Sequence, residues 1–205
     1  MTQLTVRHAI DQRTAVRTFD PDFQMSMDSK QNLLKLAMKA PSAWNIQHWR
    51  LVLIEDPAQR AALQAASANQ SQLTEAAMVV AVVVDLEAWR RNPARYFDAA
   101  PADVAEVLAQ KVLDFYADRA WLARDEAMRS CGLVAQTLML AATESGLASC
   151  PMDLFDIDQV ETLLNLPDDH VAAMFVAIGR GIADPDMPRM GRLPYDDVVT
   201  VDRFA

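Results

Sequence analysis

Two cysteines in 205 residues are too few for a disulfide framework, and Cys131 and Cys150 lack metal-type spacing. The three histidines, His8, His48 and His170, are scattered, and no H-E-x-x-H occurs, so no metal site is expected. There is no nucleophile elbow, no P-loop and no G-x-G-x-x-G, which excludes a Rossmann phosphate turn. No basic stripe interrupts a net charge of −9, so neither nucleic acid nor an anionic membrane is an expected partner. The longest nearly apolar run, Cys131 to Ala142, is too short to span a bilayer and contains Gln136 and Thr137. The N-terminus is polar and has no hydrophobic h-region. A reduced, cytoplasmic protein without a signal peptide is therefore the expectation.

What is present points to one domain spanning 1–205, with apolar content ample for a core. Thr5 to Gln12 reads as a short helix, followed by a basic loop from Arg13 to Phe19. Asp28 or Ser29 is the expected cap of a helix reaching Ala40, with Leu33, Leu36, Ala37 and Ala40 on its buried face. Trp49 to Ile54 reads as a strand, and Asp56-Pro57 opens a helix. Ala77 to Val84 reads as a strand buried on both faces. The segment 87–123 reads as a variable insertion or lid, irregular to Asp103 and then helical up to Trp121. Arg124 to Ser145 is the longest predicted helix. It is apolar nearly all round, so it must be enclosed in a core or a subunit interface, and Gly146 is its expected C-cap. Leu147 to Met152 and Val171 to Ile178 read as extended, a helix opened by Asp156 or Asp158 lies between them, and Val198 to Val201 reads as a last short strand. About four strands mixed with helices, without regular βαβ alternation, predict an α+β fold.

The most telling stretch is Ala40-Pro41-Ser42-Ala43-Trp44-Asn45-Ile46-Gln47-His48-Trp49. Pro41 disfavours helix at Ala40. If the segment beyond is extended, Asn45 and Gln47 share one face, and Trp44, Ile46 and His48 the other. Two carboxamides in one frame suit a heterocycle edge that alternates C=O and N–H, as a flavin's pyrimidine side does. The competing reading makes them surface amides beside core tryptophans. Arg13, Thr14 and Arg17 could fork onto a phosphate, or form a solvated loop. Asn69-Gln70 lies at an element end, where sites concentrate. Ser149 to Phe155 leads into a helix N-terminus, and Arg189 and Arg192 sit in a Pro/Gly-rich loop.

In this order, these segments resemble the FMN-dependent nitroreductase family from about Val6 to Val199. The Ala40–Trp49 stretch is similar to that family's A-P-S-S-x-N-x-Q-P-W, and Arg13 to Phe19 to its R-x-S-x-R-x-F phosphate loop. Ser149 to Asp156 resembles its loop beside the flavin, and Gly191-Arg192-Leu193 its C-terminal arginine loop. The resemblance implies a nitroreductase-like fold, with a central, mostly antiparallel sheet flanked by helices in an intertwined homodimer. It also implies FMN as cofactor, NAD(P)H as electron donor and a small-molecule acceptor reduced through flavin N5: a nitroaromatic, quinone or enone. It implies FMN contacts from Arg13, Thr14, Ala15, Arg17, Pro41, Ser42, Ala43, Asn45, Gln47, Asn69, Pro151, Met152, Asp153, Leu154, Arg189 and Arg192, with Pro41, Ser42 and Asn45 reaching the flavin from the partner subunit. Four residues depart from the pattern. Ala15 and Ala43 stand in place of serines, His48 in place of a proline, and Met190 where a lysine can help. Tyr96, Phe97, Phe115, Tyr116 and Trp121 either wall a substrate slot or pack the insertion. No side-chain acid or base is required, since the cofactor would carry the chemistry. The alternatives are a non-catalytic FMN or small-molecule binder, a helical interaction protein with no ligand, and a same-fold flavin enzyme performing dehalogenation or flavin fragmentation.

Overall fold

The computed structural model describes residues 5–182 and 189–204. Thr5 caps α1 (Val6–Gln12), its hydroxyl accepting from the His8 N–H at 3.2 Å. Helix α2 (Met27–Ala37) begins earlier than expected because Ser26, rather than Asp28 or Ser29, accepts the free N–H of Ser29. It also ends earlier. Lys39 and Ala40 bond back three residues to Leu36 and Ala37, so the chain tightens before Pro41, and Leu36 is left at the surface.

A single turn at Ala43–Asn45 leads into β1 (Trp49–Leu53). Then come α3 (Pro57–Ala65), α4 (Gln72–Glu75) and β2 (Met78–Asp85). A short turn at Pro93–Phe97 precedes α5 (Ala102–Tyr116). The expected continuation of α5 to Trp121 does not occur: Asp118 is left-handed at φ 58°, which breaks the helix. Helix α6 (Ala120–Glu144) therefore starts four residues before its expected beginning and takes in Trp121. It stops at Gly146, whose φ of 74° suits glycine; Leu147 N–H returns to the Ala142 carbonyl at 2.9 Å.

Strand β3 (Ala148–Met152), α7 (Ile157–Leu163) and β4 (His170–Gly179) complete the body. The expected strand at Val198–Val201 does not form: a one-turn helix, α8 (Tyr195–Val198), takes its first residue, and among the described residues no sheet edge pairs with the rest. The stretch 183–188 of the predicted C-terminal loop lies outside the described residues.

The four strands form one antiparallel sheet in the order β1-β2-β4-β3. Every residue of β2 is buried. Its Met78, Val80, Val82 and Val84 join Leu33, Leu138 and Val176 on one side, under α2 and α6. Its Val79, Ala81 and Val83 join Leu63, Leu73, Val160 and Phe175 on the other. The period of two along an all-apolar strand thus places one helical layer on each face of the sheet. Helix α6 is only half enclosed. Val134, Leu138 and Ala142 are buried, while Gly132, Leu133 and Gln136 stay exposed.

The basic segment 13–19 is stitched to the β3 edge. Val16 N–H donates to the Ser149 carbonyl at 3.0 Å, and Ile182 N–H to that of Thr18 at 2.9 Å. This fit requires glycine at 181, where a Cβ would stand 2.8 Å from Ala148 Cβ and 3.0 Å from Val16 Cγ1. Gly181→Ala is expected to cost about 1–3 kcal/mol, the usual range for overpacking, read from urea unfolding midpoints.

Candidate functional site

The expected site residues fall into two groups within one chain. The first lies along β3. Arg13, Thr14, Val16, Ser149 and Arg180 line a cleft of about 550 Å³. Among the described residues, the Arg13 and Arg17 side chains make no hydrogen bond or ion pair, and the buried Ser149 hydroxyl has no partner. An unpaired guanidinium and a free hydroxyl lining one cleft, with the Arg17 guanidinium in the adjoining loop, form a donor set suited to a phosphate. Arg189 returns to this neighbourhood by donating to the Asp11 carbonyl at the end of α1. Among the described residues, Arg192 donates to the carbonyls of Met190 and Gly191 in its own loop.

The loop after β3 belongs to the same group. Gln70 donates from Nε2 to the Leu154 carbonyl at 2.9 Å, and Asp156 N–H to that of Ala66 at 2.8 Å, which draws Asn69 to the Pro151–Leu154 turn. Asn69 is left-handed at φ 56°, a conformation asparagine tolerates. Met152 turns its side chain into the core, whereas Asp153 and Leu154 are exposed. Cys150 is inert here: it is buried, and burial pushes its thiol pKa up.

The second group is the Pro41–Gln47 loop. It is not extended. Trp44, Asn45 and Gln47 have φ of 52°, 57° and 53°. Left-handed geometry costs roughly 1–2 kcal/mol for a residue with a side chain, so the loop is held by side-chain bonds. Ser42 Oγ accepts from the Gln47 N–H at 2.9 Å. Asn45 donates from Nδ2 to the Tyr96 carbonyl at 2.8 Å, and Gln47 from Nε2 to the Asn45 carbonyl at 3.1 Å. The two amides still lie outward of Ile46 and His48, which are fully buried, so the in–out pattern survives without the strand that was expected to produce it.

The aromatic residues of the segment 87–123 divide. Tyr96 is core, its hydroxyl donating to the Ala88 carbonyl at 2.8 Å. Tyr116 is core as well; burial pushes its pKa up to about 12. Phe97 is partly buried against this cluster. Phe115 and Trp121 are exposed. Phe115 packs against Trp44 at 5.8 Å between ring centroids, with the Arg119 guanidinium 5.6 Å from its own centroid. Trp44, expected on the buried face, thus joins the loop to the segment 87–123. Its place between the loop's serine and asparagine was the available signal.

Sheet geometry separates the two groups. Trp49 sits level with Val84 and Val171, whereas Met152 sits level with Phe175, four residues further along β4 and three strands from β1. Strand spacing and rise put these points about 20 Å apart.

A profile of the Nitroreductase family matches residues 10–180. Protein DrgA of a Synechocystis species is 40% identical over 199 residues, covering 95% of both chains. A Bacillus subtilis protein carrying the name NAD(P)H nitroreductase YodC is 30% identical, covering 92% of this chain and 94% of its own. Among solved structures, one described as a nitroreductase in complex with FMN, from Exiguobacterium sibiricum, superposes with a TM-score of 0.89 at 25% identity and covers 98% of each chain. With an α+β fold that matches member structures and a profile match running from α1 through β4, the chain belongs to the Nitroreductase family.

Proposed function

We propose that the chain is an FMN-dependent oxidoreductase that uses NAD(P)H to reduce an electron-poor small molecule. The observation that carries this reading is the β3 cleft, where, among the described residues, the lining Arg13 side chain and Ser149 hydroxyl lack partners, with Arg17 four residues further along the same loop. Those groups fit the phosphate end of FMN. Two outward amides beside a left-handed loop fit a ring that bears both donors and acceptors. When bound, FMN would supply the redox chemistry, a two-electron exchange between NAD(P)H and an electron-poor acceptor such as a nitroaromatic, quinone or enone.

The chain's own residues bind and orient. Arg13 and Arg17 neutralise the phosphate, with Thr14, Arg189 and Arg192 adding donors. Asn69 and the Pro151–Leu154 turn lie beside the ring, tied together by the Gln70–Leu154 bond. Exposed Leu154 offers an apolar surface for a flat ring. Phe115, Trp44 and Trp121 wall the acceptor slot, while Tyr96 and Tyr116 support that wall from the core.

The site is completed by a second copy. A separation of about 20 Å keeps Asn45 and Gln47 away from their own chain's β3 cleft, so a partner's loop fills that role. The unpartnered apolar surface supports such a dimer: Leu133 on α6, and Leu193, Tyr195, Val198, Val201 and Phe204 on the C-terminal arm, are all exposed. No helix among the described residues is long and apolar enough to cross a membrane.

The test is an anaerobic absorbance titration of the purified protein, with its mass in solution measured alongside. The expected protein is yellow and dimeric and bleaches on addition of NADPH or NADH, the faster nucleotide naming the donor. A yellow protein that neither nucleotide bleaches is a binder. A colourless protein that FMN cannot reconstitute overturns the proposal.

A further inference from the structure

The strained Pro41–Gln47 loop needs something that holds its backbone, and that holder lies outside the expected cofactor contacts. Arg50, in β1, donates from Nη1 to the Gln47 carbonyl at 3.1 Å and to that of Trp49 at 2.8 Å. Its other nitrogen, Nη2, is 2.6 Å from Asp85 Oδ2. Asp85 ends β2 with its side chain 1% exposed. Its other oxygen accepts from the Glu87 N–H at 3.0 Å, and Arg91 adds a second guanidinium at 2.8 Å. A carboxylate so enclosed cannot swing, and a guanidinium gripped by it presents its remaining N–H groups in a fixed direction.

The geometry points to Arg50, braced by Asp85, as the positioning residue that sets the Gln47 backbone, and with it the amide pair offered to the flavin. This assignment rests on the proposed FMN site. It differs from a purely structural ion pair in one respect. Arg91 shares the same carboxylate but touches no part of the loop; among the described residues its other ionic partner is Asp169 at the foot of β4. Loss of Arg91 therefore disturbs the pair's surroundings, and loss of the Arg50 fork disturbs the loop.

Three variants separate these roles: Arg50→Lys, Asp85→Asn and, as control, Arg91→Gln. A lysine presents its three N–H groups from one nitrogen and cannot span the carboxylate and two carbonyls as the guanidinium fork does. Hydrogen exchange of the peptide spanning 42–50 is followed in FMN-free protein, and FMN affinity by quenching of flavin fluorescence. Exchange in that peptide is expected to rise about tenfold or more in Arg50→Lys and Asp85→Asn, with FMN Kd rising about tenfold, while Arg91→Gln, which removes one contact from Asp85 and none from the loop, changes each by less than about threefold. Unchanged exchange overturns the assignment, as does faster exchange with unchanged FMN affinity. So does a melting temperature lowered by more than about 10 °C in both test variants, because the pair then supports the whole fold. If the wild-type protein binds no FMN, the proposed function fails by itself, and the exchange data alone decide whether Arg50 orders the loop.

Discussion

Replacing Arg13 and Arg17 together by alanine is expected to weaken FMN binding by about a hundredfold to ten-thousandfold. Hydrogen bonds to a charged group contribute roughly 1.5–3 kcal/mol each, so two arginines on one phosphate account for roughly 3–6 kcal/mol, at about 1.4 kcal/mol per tenfold. The setting strengthens the case. In a chain of net charge −9, two arginines four residues apart in one loop, without a carboxylate partner among the described residues, leave a local positive site, with Arg13 lining the cleft. Stability should barely change, because neither side chain bonds to the described protein. The FMN-free variant is expected to melt within about 2 °C of the wild type, as surface substitutions usually do. Flavin fluorescence titration reads the affinity, and raising the salt should weaken the wild type while affecting the double variant less. Equal affinity in both proteins would move the phosphate away from this cleft.

The legible part of the fold was the part written in periodicity. The all-apolar run ending at Val84 predicted a strand buried on both faces, and the structure buries every residue of β2. Gly146 ended α6 as expected, because a left-handed C-cap has few alternatives. The errors sit where a short-range bond competes with pattern. Ser26 took the α2 cap from Asp28 and Ser29, since any nearby hydroxyl or carboxylate can satisfy the first free N–H groups. Asp118 broke the helix expected to reach Trp121, and a single left-handed residue leaves no hydrophobic signature.

The loop of Asn45 and Gln47 shows the same limit in the site. An extended backbone and a run of left-handed residues both turn two amides outward, so alternation alone could not tell them apart. Nor could spacing reveal Arg50 and Asp85, which lie 35 residues apart in sequence and meet because β1 pairs with β2. The sequence marks Ser149 as the start of the segment that resembles a flavin-side loop, without assigning its hydroxyl a role. Its buried, unpartnered hydroxyl at the cleft depends on the Ala15–Ser149 bridge, a long-range pairing that no local pattern encodes.

Acidification should destabilise the protein through His48. The ring is fully buried, and among the described residues neither nitrogen has a hydrogen-bond partner. Burial is the main cause that brings its pKa down to about 4 from an ordinary 6.5, with Asp85 opposing and Arg50 assisting. The unfolded chain therefore takes up this proton at higher pH than the folded one. Stability held above pH 6.5 is lost as the pH falls towards 4, and stops falling on this account below that. A gap of about two and a half pH units, at 1.36 kcal/mol each, sets the full loss at ~3 kcal/mol, with ~2 kcal/mol of it gone by pH 5. Other groups titrate over the same range, so the informative quantity is a difference. His48→Leu keeps a side chain of similar bulk and removes the proton site. Urea unfolding of both proteins at pH 7.5 and pH 5 should show the wild type losing ~2 kcal/mol more than the variant. Equal losses would mean that the imidazole ionises within the fold, with a counter-charge near enough to hold it there.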